Sequence, residues 1–196
     1  MKHIFVIPIL TVAALLLASC GSEDYTPKPR AYYRIDLPEA SYQRWDTAYP
    51  FAFEYSTHAQ IIPRDDPSAE PYWFNLYYPD WNATLHVSYK PVHGDLEQLI
   101  ADARFFTTKQ IPKAEDMIES DVCDTVARVY GKIYEITGVH VACTYQFWLT
   151  DREKHFFRAA LYFNVVPNND SIAPVLQYIQ KDMLHLINTF SWKDVR

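Results

Sequence analysis

Between Val126 and Val166 the chain passes through three long segments of strand character, residues 126–137, 139–150 and 154–166, separated only by Gly138 and by Asp151-Arg152-Glu153. Short links between long strands make an antiparallel meander, because a parallel pair needs a crossover of a dozen residues or more. The last segment places Phe157, Ala159, Leu161, Phe163 and Val165 on one face and Phe156, Arg158, Ala160, Tyr162 and Asn164 on the other. Composition agrees with a strand-rich domain: 15 Tyr, 11 Phe and 5 Trp against 4 Gly suit a pleated, half-buried surface.

Upstream, Phe51-Ala52-Phe53-Glu54-Tyr55 alternates as one short strand, and residues 72–78 and 83–90 read as a hairpin around Pro79-Asp80-Trp81-Asn82. Pro63, Pro67 and Pro71 enclose Arg64-Asp65-Asp66 in an exposed loop, and residues 32–49 read as a wrapping segment. Leu96, Leu99, Ile100, Ala103 and Phe106 recur at helical spacing after Asp95, a capping residue, which predicts a helix over 95–108 that Pro112 ends. Ile172, Val175, Leu176, Ile179, Met183, Leu186, Ile187 and Phe190 predict a second helix, capped by the turn at 167–171 and running to the chain's end. Strands, helix, three strands, helix is an α+β order: an antiparallel sheet carrying two amphipathic helices. The order resembles the fold of the PsbP and Mog1 proteins. With 196 residues the chain can bury one sizeable core, so residues 32–196 are expected to form a single α+β domain.

The N-terminus sets the compartment. Lys2 and His3 precede an uncharged apolar run, Ile4 to Leu17, which is shorter than the ~20 residues that span a bilayer and ends in Leu17-Ala18-Ser19-Cys20. That string resembles a bacterial lipoprotein lipobox. Residues 1–19 are then a signal peptide, Cys20 the thiol that is acylated and becomes the new N-terminus, and 20–31 a proline-punctuated stalk. Palmitate-type acyl chains would anchor the domain beside a membrane without spanning it. Ser22-Glu23-Asp24 resembles the acidic export signals of some Bacteroidetes lipoproteins. The net charge is -6, and nucleic acid is excluded as a partner because no concentrated basic face is visible.

Recognisable catalytic sets are missing. Four glycines at 21, 94, 131 and 138 cannot form a phosphate-binding loop, and neither a Gly-x-Ser-x-Gly elbow nor a His-Glu-x-x-His helix occurs. The histidines lack ligand spacing, so no metal, cofactor or catalytic residue is assigned. Cys123 and Cys143 remain after Cys20 is lipidated, and an oxidising envelope invites a disulfide between them. A free Cys143 also fits the apolar face it shares with Val141, Tyr145, Phe147 and Leu149. A hairpin near Gly138 sets Cys143 opposite residues around 133, so the bond requires the chain before Val126 to fold back. On the polar face, Gln146, Trp148, Arg158, Tyr162 and Asn164 form a candidate partner surface, since Tyr, Trp and Arg anchor interfaces. The alternative is a helix covering this face, which makes it a second core layer with Arg158 paired inside.

Several strings together resemble the gliding-motility lipoprotein GldD family of Bacteroidetes: Pro27-Lys28-Pro29-Arg30, Tyr33-Arg34-Ile35-Asp36-Leu37-Pro38, Tyr49-Pro50-Phe51-Ala52-Phe53-Glu54-Tyr55, Gln146-Phe147 with Thr150-Asp151, and residues 157–164 with 167–171. The chain departs from that pattern at Ala31 and Ala159, where glycine is expected, and at Arg152, where serine is expected. The resemblance implies an envelope lipoprotein required for gliding motility, associated with type IX secretion, without enzymatic activity, and partnered with other envelope gliding or secretion proteins. An envelope lipoprotein binding a small ligand or glycan, or an envelope enzyme, are the competing classes.

Overall fold

The computed structural model describes residues 35–166 and 168–193, so the expected signal peptide, Cys20 and the expected stalk lie outside the described residues. The elements are β1 (Tyr42–Trp45), β2 (Phe51–Ser56), β3 (Gln60–Pro63), β4 (Phe74–Tyr78), β5 (Ala83–Pro91), α1 (Leu96–Thr108), β6 (Asp116–Asp124), β7 (Val129–Thr137), β8 (Tyr145–Thr150), β9 (His155–Phe163), α2 (Asn169–Asn188) and β10 (Ser191–Trp192). Seven strands form one antiparallel sheet in the order β3-β4-β5-β9-β8-β7-β6, and β1-β2-β10 form a smaller one.

The expected meander is present as β7, β8 and β9, with the predicted phase. Val87, Ala159, Phe147 and Ile133 stand in one row across β5, β9, β8 and β7, and all four are buried. On this face Phe74, Leu76, Leu85, Phe157, Leu161 and Leu149 meet the apolar stripe of α2, Val175, Ile179, Met183, Leu186 and Ile187. Phe51 and Phe53 of β2 enter the same core. The smaller sheet is tied to α2 by chain-distant bonds: Tyr42 donates to Asp182 Oδ1 at 3.1 Å, the Glu54 N–H donates to Thr189 Oγ1 at 2.9 Å, and His185 Nε2 lies 2.8 Å from Glu54 Oε2.

Several boundaries differ from expectation, each for a local reason. The second helix stops at Asn188, because Thr189 turns its hydroxyl back onto the His185 carbonyl and the chain then pairs with β2 as β10. Asp95 stands at the N-cap of α1 as expected, its carbonyl accepting the Leu99 N–H at 3.1 Å, but its Oδ1 accepts the His93 N–H at 2.8 Å and makes no bond to the first helical turn. Phe106, the last residue of the expected buried stripe, is 47% exposed. β6 pairs along nine residues with β7 where no strand was expected.

The β8–β9 turn depends on one carboxylate. Asp151 Oδ1 accepts the N–H groups of Glu153, Lys154 and His155 at 3.0, 2.8 and 2.9 Å, while Arg152 takes a left-handed φ of 69°. Burial pushes the Asp151 carboxyl up, but the three backbone donors together hold it below the usual carboxylate range. Asp151→Ala is expected to lower stability by about 1–3 kcal/mol by stripping buried donors of their acceptor. A depressed folded pKa makes this contribution full above the unfolded carboxylate pKa and lost as pH falls through the folded value. Melting curves of both proteins between pH 7 and pH 3 check this: the gap narrows on acidification.

Candidate functional site

The opposite face of the large sheet carries the five residues of the candidate partner surface. Register places Trp148 beside Arg158 and Gln146 beside Ala160, so the strand phase is as expected. α1 crosses this face. Its two buried residues, Ala103 and Thr107, are small enough to seat the helix against the strands, and Thr107 Oγ1 lies 3.5 Å from Gln146 Oε1. Gln146 is therefore only 2% exposed, and the five residues are not one open surface. Phe156, Ala160, Tyr134 and Ile136 are buried on the sheet outside the main core cluster, and with Cys143, which precedes β8, they form a second layer. Asn164 is exposed and bonds Asn82 and Thr84, while Trp148, Arg158 and Tyr162 are half-buried.

α1 divides the rest of the face into two depressions. Leu99, Asp102, Ala103 and Phe106, at helical spacing, form one wall of a cleft of about 410 Å³ whose far side is Arg64, Trp73, His86, Ser88 and Lys90, with Phe156 and Arg158 also lining it. Leu96 and Ile100 face the other way, onto a groove of about 550 Å³ over Trp148, Tyr130, Lys132 and Cys123. Of the cleft-lining residues only Arg158 was singled out in the sequence as a candidate contact residue. Arg64 was legible as part of an exposed loop and Lys90 as the end of a hairpin strand, but nothing local joins them. The cleft is assembled by the β3–β4 connection, β5, α1 and β9, which are distant in the chain.

The cleft is rich in cations and rings. Arg64 pairs with Asp66 at 2.6 Å and Lys90 with Glu70, and both cations lie over the Trp73 ring, at 5.3 and 5.8 Å from its centroid. Arg158 lies 5.0 Å from the Phe106 ring centroid, and its Nη2 donates to Gln146 Oε1 at 2.7 Å. Burial pulls the Arg158 guanidinium below its ordinary range. His86 bonds Asn75 Oδ1 at 2.8 Å, and burial with the nearby Arg64 lowers its pKa. Beside Arg158, burial raises the Cys143 thiol to about 12 and the Tyr162 phenol to about 12, so both stay protonated at neutral pH.

The cysteines follow one of the two alternatives left open and correct one expectation, the face of Cys143. Cys123 and Cys143 are both free thiols, the first exposed and the second buried. The chain before Val126 does fold back, as β6, but it brings Cys123 opposite Tyr130, which pairs with Thr150 at one end of β8. Cys143 lies beyond Tyr145 at the other end of β8, so about seven residue steps of ~3.3 Å separate the thiols along the strands. A disulfide needs Cα atoms within about 7 Å. Cys143 also leaves the face of Tyr145 and Phe147: it precedes the strand, and its sulfur lies with Tyr162 and Arg158 on the α1 side.

Among the described residues no group of three or more His, Cys, Asp or Glu side chains comes together as a metal site, and no helix is long and apolar enough to cross a membrane. Fold and site define a layered α+β domain with a helix laid over the outer face of its sheet and a cationic, aromatic cleft beside it. The chain belongs to the gliding motility lipoprotein GldD family, whose model matches residues 22–192. A search of curated proteins finds no match. Among solved structures the chain is similar to cyanobacterial PsbP (CyanoP) from Synechocystis sp. PCC 6803, with 14% identity and a TM-score of 0.48 over 85% of this chain and 99% of that one.

Proposed function

We propose that this protein is anchored in the cell envelope through acyl groups on Cys20, faces the periplasm, and serves gliding or type IX secretion through contacts with other envelope proteins. The observation that carries this reading is the family match, which extends across residues 22–192 and so embraces the domain and most of the stalk. The outer side of α1 supports contact as the mode of action. Phe105 and Phe106 are 58% and 47% exposed, next to Ile111 at 48%, and adjacent large apolar residues on a soluble surface mark interaction sites. Lys109 lies over both rings, giving the patch a charged rim. Trp148, Tyr162 and Asn164 are further contact residues in this reading.

Two measurements test the reading. Intact-mass analysis of the membrane fraction should find a chain beginning at Cys20 and carrying acyl mass; a different N-terminus, or no acyl mass, overturns the anchor. Crosslinking and affinity purification from native membranes should recover other envelope proteins with the wild type. Recovery should fall at least tenfold with Phe105→Ser combined with Ile111→Ser, an exposed pair that lines neither depression and spares the core. Unchanged recovery removes α1 as the contact surface.

A further inference from the structure

We infer that the cleft between α1 and β5 is a binding site for a carboxylate carried on an apolar or aromatic body, with Arg158 as its anchor. The argument starts from the guanidinium. Arg158 is half-buried on a central strand, yet no carboxylate lies within ion-pair distance of it among the described residues. Among the described residues, of its three nitrogens only Nη2 donates to a protein acceptor, the neutral amide oxygen of Gln146. A desolvated cation held by one amide and one ring face is incompletely satisfied, and a carboxylate meeting its remaining donors supplies the charge-assisted bonds it lacks.

The other ionisable groups of the cleft agree with an anionic occupant. Arg64 and Lys90 sit on the far side, each paired with a carboxylate, Asp66 and Glu70, that is not part of the lining. His86 is bonded to Asn75 and held toward its neutral form. Asp102 is the single acid of the lining; its Oδ1 accepts the Gln98 amide and makes no ion pair with Arg158. Three cations therefore line the cleft against one acid, in a chain with 24 acidic and 18 basic residues. Trp73, Phe106 and Phe156 supply apolar walls, and about 410 Å³ falls in the range of small-ligand pockets. The carboxylate can belong to a free organic acid or to the C-terminus of a polypeptide; the recognition chemistry is the same. The inference does not rest on the role proposed for the outer side of α1, and loss of partner recovery there leaves it untouched.

The test uses the complete chain in detergent, titrated by calorimetry with N-acetylphenylalanine and with its C-terminal amide. The acid should bind at least tenfold more tightly than the amide. Arg158→Gln should abolish the difference, and Ser88→Leu, which fills the cleft floor beside Arg158 while retaining the guanidinium, should weaken the acid at least tenfold. Ser88→Leu keeps the test decisive if Arg158→Gln does not fold. Comparison of phenylacetate with the tripeptide Ala-Ala-Phe then assigns the source: tighter peptide binding marks a polypeptide terminus, tighter phenylacetate a free acid. Equal binding of acid and amide, no binding of the acid at millimolar concentration, or unchanged affinity in the folded variants overturns the site.

Discussion

Phe51→Ala should destabilise the domain by about 3–5 kcal/mol, the range for deleting a fully buried phenylalanine. Phe51 has 0% exposure, and its ring centroid lies 5.1 Å from that of Phe157, 5.7 Å from Tyr89 and 5.8 Å from Phe190. These partners come from the large sheet and from the segment after α2, so the ring joins the smaller sheet to both. Truncation leaves a cavity bounded by rigid rings that cannot collapse together, which places the cost at the upper end of the cavity range. For a domain of this size the melting temperature should drop by roughly 10 °C or more. Phe51→Leu should recover most of the loss. A drop of under 1 kcal/mol for Phe51→Ala by denaturant titration would show that the aromatic cluster repacks.

Gly131→Ala is the second large effect, about 3 kcal/mol, and acts through backbone. A Cβ at Gly131 would lie 2.0 Å from the Trp148 carbonyl oxygen and 3.0 Å from Leu149 Cδ2. Gly131 pairs with Leu149 and its neighbour Lys132 with Trp148, so relief requires β7 to separate from β8. Hydrogen exchange should accelerate at the amides of β6 and β7 and not at those of β4 and β5. Gly94→Ala is the control: its φ of 84° strains an alanine, but nothing lies within 4 Å of the added carbon, so only about 1 kcal/mol is expected. Equal losses from the two variants would mean that the β7–β8 approach is looser than the structure has it.

What could be read from the sequence follows from how each element meets solvent. β5, β8 and β9 alternate against a core and announce themselves, as does α2, whose apolar stripe is continuous. β6 does not, because it is an edge strand with seven of its nine residues exposed and carboxylates at 116, 119, 121 and 124. Those acids make sense only with the register known: an antiparallel copy of β6 centred on Ser120 would set Asp116 against Asp124 and Glu119 against Asp121, which discourages edge-to-edge pairing. Cys143 was placed on the wrong face because the expected strand over 139–150 begins only at Tyr145; the chain after Gly138 turns first, and the alternation has no meaning there. The departures at Ala159 and Arg152 also acquire reasons. Ala159 is fully buried between Val87 and Phe147, where a small side chain fits, and Arg152 takes a left-handed conformation with its guanidinium carbon 3.7 Å from the Tyr130 ring centroid. The cleft stayed hidden because its walls come from four separated stretches of chain, and its signal is a missing counterion rather than a motif.

The bonds from β1 and β2 to α2 and β10 span 131 to 140 residues of sequence. The earliest described strands pair with each other, but they gain these long-range partners only when the stretch from Asp182 to Trp192 arrives. Closing so long a loop is entropically unfavourable and slow, and local hairpins such as β4–β5 or β7–β8 must form without the aromatic rings that later cover them. In a chain that emerges N-terminus first, such wiring completes the smaller sheet last.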